Sequence, residues 1–173
     1  MSDTKPARKA PRKRVSKSKA TTAATAPEEL AHVLVTSGEP PCLIRFPIDV
    51  RWRDLDAFNH VNNANFLTYV EEARLAWMQS LPGPWVTERS APVLAAANVN
   101  FRRPIAWPES LIIELSAQRV GTSSLTLAYR MVSAGDSTAL YADGETVMVW
   151  VDAESGKAAS LPEAVRAGTL HDS

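Results

Sequence analysis

Between Arg51 and Arg74 the chain reads RWRDLDAFNHVNNANFLTYVEEAR, a strand exit, a polar turn and an amphipathic helix in unbroken succession. Upstream of the turn, Phe46, Ile48, Val50 and Trp52 alternate with Arg45, Asp49, Arg51 and Arg53. A period of two with one wet face predicts a strand of an antiparallel sheet. Downstream, Phe66, Val70, Ala73 and Trp77 recur at helical spacing and predict a stripe that faces that sheet. The helix is expected from about Asn63 to about Ser80. Asn62 is placed to cap its first amides, and Pro82-Gly83-Pro84 forbids its continuation.

Four more strands are expected. The first runs from Val93 to Phe101, where the small residues Ala95 and Ala97 suggest close packing under the helix. After a Pro104–Pro108 turn, Leu111, Ile113, Leu115 and Ala117 form an apolar face. Leu125, Leu127, Tyr129 and Met131 form another, entered by Gly121. Ala134-Gly135-Asp136 turns into a last strand that reaches Val151, with a bulge or twist expected at Asp143-Gly144-Glu145. One long helix against five antiparallel strands is an α+β layout. No internal repeat stands out. Leu161 to Val165 is expected to close the domain with a short helical turn.

The chain of 173 residues has a formal net charge of zero, which hides an asymmetry. Residues 1–27 carry eight Lys or Arg and one acid, Asp3, among Pro, Ala, Ser and Thr. The remainder carries 11 basic and 18 acidic residues, a net of −7. Residues 1–27 are too polar to repay the entropy of ordering, so they are expected to be a disordered basic tail. Such a tail suits non-specific polyanion contact, and the plain alternative is a solubilising extension. Residues 28–42 are expected to be a linker with a possible short helix, 43–166 the folded domain and 167–173 a frayed end. Cys42 is the single cysteine, which excludes an intrachain disulfide and a thiolate metal cluster. The three histidines form no zinc-ligand pattern, and no metal is expected. No apolar run approaches membrane-spanning length, and the basic start is not followed by an export-type apolar core. A cytoplasmic location is the default expectation.

The motif DxDxxxHVNN, followed by an aromatic helix that ends EEAR, resembles the 4-hydroxybenzoyl-CoA thioesterase branch of the hotdog-fold superfamily. The later runs VNFRRPIAWPESLIIEL and VGTSSLTLAYRM are similar to the later strands of small bacterial acyl-CoA thioesterases, so the resemblance covers roughly residues 43 to 165. It implies the hotdog fold, a five-stranded antiparallel sheet wrapped around one long central helix. It also implies an acyl-CoA substrate hydrolysed to a free acid and coenzyme A, with no other cofactor. The expected assembly is a homodimer with its site between subunits, or a dimer of two such dimers.

Thioester hydrolysis needs a group that attacks the carbonyl or activates water, and another that holds the oxygen as it gains charge. The unpaired amides of a helix start can do the second, and a carboxylate just before that helix can do the first. By resemblance the catalytic carboxylate falls on Asp56, as nucleophile or general base, and the carbonyl-polarising backbone amide falls on Asn63, seven residues later. The purely structural reading of Asp56 is an Asx turn or a helix-entry cap. Asp54 is expected to pair with Arg51 or Arg53, or to accept turn amides.

His60 is a candidate proton shuttle. HVNN is also similar to the plant acyl-acyl-carrier-protein thioesterases, but Phe58 stands where they have Asn, with Asn59 one residue later. His60 can therefore equally shape the loop. Asn59 and Asn62 can cap, or hold water near the thioester; Asn59 matches a glycine in the hydroxybenzoyl branch, which suggests left-handed geometry. Glu71 and Glu72 are read as ion-pairing or subunit-contact residues. Arg102 and Arg103, at a strand end, are candidates for the phosphates of coenzyme A. Trp52, Trp85 and Trp107 are candidates for an acyl pocket, with core or interface as the alternative.

Three functions compete on this reading. The first is an acyl-CoA thioesterase. The second is a non-catalytic acyl-binding or scaffold protein tethered through its basic arm. The third, a hotdog dehydratase, is disfavoured by the placement of its acidic and imidazole groups.

Overall fold

A computed structural model describes residues 41–170. Its elements in order are β1 (Cys42–Asp49), a 3₁₀ turn (Trp52–Asp54), α1 (Asn63–Gln79), β2 (Ser90–Phe101), β3 (Ser110–Val120), β4 (Ser124–Ser133), β5 (Leu140–Asp152) and α2 (Glu163–Thr169). The strands form one antiparallel sheet in the order β1-β3-β4-β5-β2. This is the α+β hotdog layout, with α1 as the helix on the sheet.

The alternation explains the core. Leu111, Ile113 and Leu115 of β3, and Leu125, Leu127, Tyr129 and Met131 of β4, point inward and are buried. Phe66, Val70, Ala73 and Trp77 of α1 meet them. Each large apolar side chain so buried contributes roughly 1.5–3 kcal/mol relative to exposure. Asn62 accepts from the Ala64 amide at 2.9 Å and caps the helix as expected, and the helix ends at Gln79 with Ser80 as its C-cap.

Several expectations are corrected. β1 stops at Asp49 instead of running through Trp52 and Arg53. The Asp54 carboxylate accepts from the Arg51 amide, which closes a 3₁₀ turn and throws Trp52 outward to 75% exposure. β2 does not lie under the helix. It is the outer strand beyond β5, whereas α1 packs chiefly across β1 and β3, so Ala95 and Ala97 are exposed.

No bulge occurs at Asp143-Gly144-Glu145; these residues pair in unbroken register with Asn100, Val99 and Asn98 on one side and Arg130, Tyr129 and Ala128 on the other. Gly144 serves a close approach instead. The Tyr129 hydroxyl crosses it to donate to the Asn98 carbonyl at 2.7 Å, and a Cβ on Gly144 would stand 2.3 Å from that carbonyl oxygen.

At the other end, α2 continues through Thr169, with Val165 and Thr169 buried, where a frayed end was expected from 167. β1 begins at Cys42, the last residue of the expected linker. The expectations for residues 1–27, and for a short helix within 28–40, lie outside the described residues.

Candidate active site

The polar turn before α1 is built around Asp54. Its buried carboxylate accepts from the Arg51 amide at 3.0 Å, from Arg51 Nε at 2.9 Å and from the Tyr69 hydroxyl at 2.7 Å. Its carbonyl accepts from the Asn62 amide and from Asn65 Nδ2, both at 2.8 Å. Asp54 thereby ties the strand exit to the cap and to the second turn of α1. Burial alone would raise the Asp54 pKa. The hydrogen bonds from Arg51 and Tyr69 outweigh it and hold the carboxyl below its usual range. Burial, together with the hydrogen bond to Asp54, pushes the Tyr69 phenol well above its ordinary value. Of the two arginines proposed for Asp54, Arg51 is the partner. Arg51 also reaches Glu72 at 3.7 Å, which fits the ion-pairing reading of that glutamate.

Beyond Asp54 the chain folds back on itself. Leu55 bridges to Val61, the Asp56 amide donates to the His60 carbonyl at 2.8 Å, and the Asn59 amide donates to the Asp56 carbonyl at 3.2 Å. Asn59 has a φ of 59°, the left-handed geometry that its match to a glycine suggested. The loop docks on the segment after β2 through a His60–Ala106 bridge and the Val61 amide, which donates to the Ile105 carbonyl at 2.9 Å.

This fold brings three candidates together. Asp56, His60 and the first helical residue Asn63 line one open groove of about 510 Å³, with Arg102 and Arg103 on its rim. Asp56 is half-buried. Its Oδ1 accepts from the Phe58 amide at 2.8 Å and from the His60 amide at 3.4 Å, so the Asx-turn geometry is present. Both bonds use one oxygen, and Oδ2 makes none among the described residues. The Asn63 amide is likewise without a partner among the described residues, because the Asn62 side chain serves Ala64 and the Asn62 carbonyl serves Asn65. A carboxylate oxygen and a helix N-terminal amide thus remain open in one groove.

Other candidates are placed differently. Asn59 and Asn62 do not line the groove; one turns the loop and the other caps the helix. Arg102 grips Asp143 with two bonds, Nε to Oδ2 at 2.6 Å and Nη2 to Oδ1 at 3.0 Å. Arg103 makes no side-chain bond among the described residues. The three tryptophans are absent from the groove: Trp52 and Trp107 face solvent, and Trp85 lines a second cavity behind α1. Phe58, Phe66 and Phe101 form the apolar wall instead, with Phe66 and Phe101 edge to face at 5.0 Å. Phe66 and Phe101 read as core residues in the sequence, and their wall position depends on where β2 ends. Tyr69 was also missed. The signal was a tyrosine beside an apolar stripe, whose hydroxyl needs a partner once buried.

Comparison with known proteins gives a consistent picture. Residues 50–168 match the model of the thioesterase-like superfamily. The long-chain acyl-CoA thioesterase FadM of Escherichia coli is 31% identical over 121 residues, 69% of this chain and 91% of that protein. The uncharacterized protein YsmA of Bacillus subtilis is 32% identical over 124 residues, 72% of this chain and 83% of its own. Among solved structures, XC229 of Xanthomonas campestris, by provisional assignment an acyl-CoA thioesterase, is 48% identical, with a TM-score of 0.62. The match covers 68% of this chain and 99% of that one.

Proposed function

The chain belongs to the thioesterase-like superfamily of hotdog proteins, and from that premise we propose that it hydrolyses an acyl-CoA thioester to a free acid and coenzyme A. The observation that carries this reading is the pairing of an open Asp56 oxygen with the unpartnered Asn63 amide in one groove. The thioester carbonyl oxygen accepts from the Asn63 N–H, where the helix N-terminus favours growing negative charge. Asp56 Oδ2 then acts in one of two ways. As a nucleophile it bonds to the carbonyl carbon, the C–S bond breaks, and water hydrolyses the resulting anhydride. As a base it takes a proton from water while the oxygen of that water bonds to the carbon. Both routes consume one water and release one thiol. Single-turnover hydrolysis in ¹⁸O-water separates them, because only the anhydride route can leave label on Asp56.

His60 faces the groove and can pass a proton to the departing thiolate. Phe58, Phe66 and Phe101 supply an apolar wall for the acyl chain, and the basic rim suits the phosphates of coenzyme A. Asn59 and Asn62 act by shaping the loop and the cap. The relationship to FadM makes long-chain acyl-CoA the first substrate to try. The test is thiol release across short, medium, long and aromatic acyl-CoA. Turnover of none of them would favour the non-catalytic acyl-binding reading.

The protein is also proposed to act as a homodimer, joined along β2 and open to further pairing into tetramers. Its edge strand SAPVLAAANVNF carries no charged residue, and residues 93–98 are exposed in succession. The opposite edge, β1, is guarded by Arg45, Pro47 and Asp49. A long apolar edge without such guards favours pairing with another strand. The eight cations of residues 1–27 suit polyanion contact. Salt-sensitive nucleic-acid binding that disappears when those residues are removed would support that role.

A further inference from the structure

Arg74 has only 6% of its surface exposed, yet no hydrogen bond or ion pair reaches its guanidinium among the described residues. Burial draws its pKa below the ordinary value, and only the nearby Glu71 acts against that. Thr146 Oγ1 is the one fully buried side-chain polar atom left unbonded among the described residues, so the Arg74 nitrogens keep contact with the cavity behind α1, and an unpaired cation in a mostly covered recess there suits an anion. Glu71 lies three residues earlier on the same helix face. It is exposed, and it lines the same cavity without closing on Arg74.

That cavity lies between the second half of α1 and the start of β2, walled by Leu75, Val93 and Leu94. These three are among the exposed large apolar residues of the chain. At about 210 Å³ the cavity is below the size of ordinary small-molecule pockets, roughly 300 Å³ and upward, but ample for one carboxylate side chain. The site therefore offers a cation in a recess, an exposed anion beside it, and an apolar unguarded edge along one wall.

We propose that a second copy of this chain supplies the missing carboxylate, Glu71 of each copy pairing with Arg74 of the other across a two-fold axis beside β2. The inference rests on the dimer reading above and names the charges that fix its register. An isologous interface has this reciprocal form, in which residue i meets j and j meets i. The two pairs would seat the helices against each other while the β2 edges cover Val93 and Leu94.

Sedimentation equilibrium of the full chain tests this with Glu71→Gln, Glu71→Arg, Arg74→Glu and the double reversal Glu71→Arg/Arg74→Glu. Breaking a desolvated pair at both symmetric positions is expected to weaken the dimer roughly 30-fold or more in each single reversal. The double reversal restores it to within about 5-fold of the parent, as coupled partners require. Glu71→Gln, at an exposed position, is expected to weaken the dimer about 10-fold with an unchanged circular dichroism spectrum. If Arg74→Glu fails to fold, the two Glu71 variants decide the question. A dimer that holds with parental affinity in Glu71→Gln and Glu71→Arg would overturn the ion pairs while leaving the dimer intact. A monomeric parent would overturn the dimer reading and this inference together.

Discussion

The Tyr69 hydroxyl donates to Asp54 Oδ2 at 2.7 Å, across fifteen residues of sequence, and fixes the strand exit to the body of α1. The bond is buried and one partner is charged. Tyr69→Phe removes it and leaves the ring in place. The loss is expected to cost about 1.5–3 kcal/mol, the range for hydrogen bonds to charged groups. Urea unfolding of the two proteins gives the difference directly, with the slope unchanged if only stability has moved.

The same carboxylate gives the fold an acid dependence of known sign. Asp54 has a folded pKa below its ordinary value, so it binds protons more weakly in the folded chain than in the unfolded one. Its contribution is fully present above the unfolded pKa of about 3.9 and is lost as pH falls below that through the folded value. The parent is therefore expected to lose stability on acidification over this window more steeply than Asp54→Asn. Thermal melts from pH 5 downward check this, and parallel curves for both proteins would contradict it.

Gly144 is expected to tolerate no side chain. A Cβ there meets the Asn98 carbonyl oxygen at 2.3 Å and the Tyr129 hydroxyl at 2.7 Å, and the first is backbone that cannot step aside without moving β2. Gly144→Ala should destabilise by about 1–3 kcal/mol, as overpacking does. It should also displace the β2 edge, so its dimer affinity is expected to fall with its melting temperature.

The two rim arginines should behave differently. Arg102 is held by Asp143 in a two-bond grip, whereas Arg103 makes no side-chain bond among the described residues. Arg103→Ala is expected to raise KM for acyl-CoA several-fold with kcat little changed, the signature of lost uniform binding. Arg102→Ala should affect KM less. Equal effects of the two variants would contradict this division.

The parts of this molecule set by local pattern were legible in the sequence. Leu111, Ile113, Leu115, Leu125, Leu127, Tyr129 and Met131 announced their faces by alternation, and Asn62 announced the helix start by side-chain chemistry. Asp56 and Asn63 were singled out by the resemblance of the DxDxxxHVNN motif, and the fold sets both against one groove. What was not legible depends on strand order. Ala95 and Ala97 look like packing residues in a linear pattern, but β2 lies at the sheet edge, away from the strands that α1 crosses. Trp52 follows the strand alternation perfectly, yet the bond between Asp54 and the Arg51 amide, closed over three residues, ends the strand before it. Gly144 signalled an irregularity, but its true partner Tyr129 becomes visible only once β4 and β5 are paired.

Asp56→Asn tests most directly whether Asp56 is the group that acts on the thioester, as proposed. The amide keeps an oxygen to accept from the Phe58 and His60 amides, so the loop and the melting temperature should be nearly retained. The negative charge proposed to attack carbon or to activate water is gone. Steady-state thiol release from the best acyl-CoA substrate is expected to show kcat reduced roughly 10²-fold or more. A well-folded Asp56→Asn protein that turns over at the parental rate would remove Asp56 as nucleophile or base.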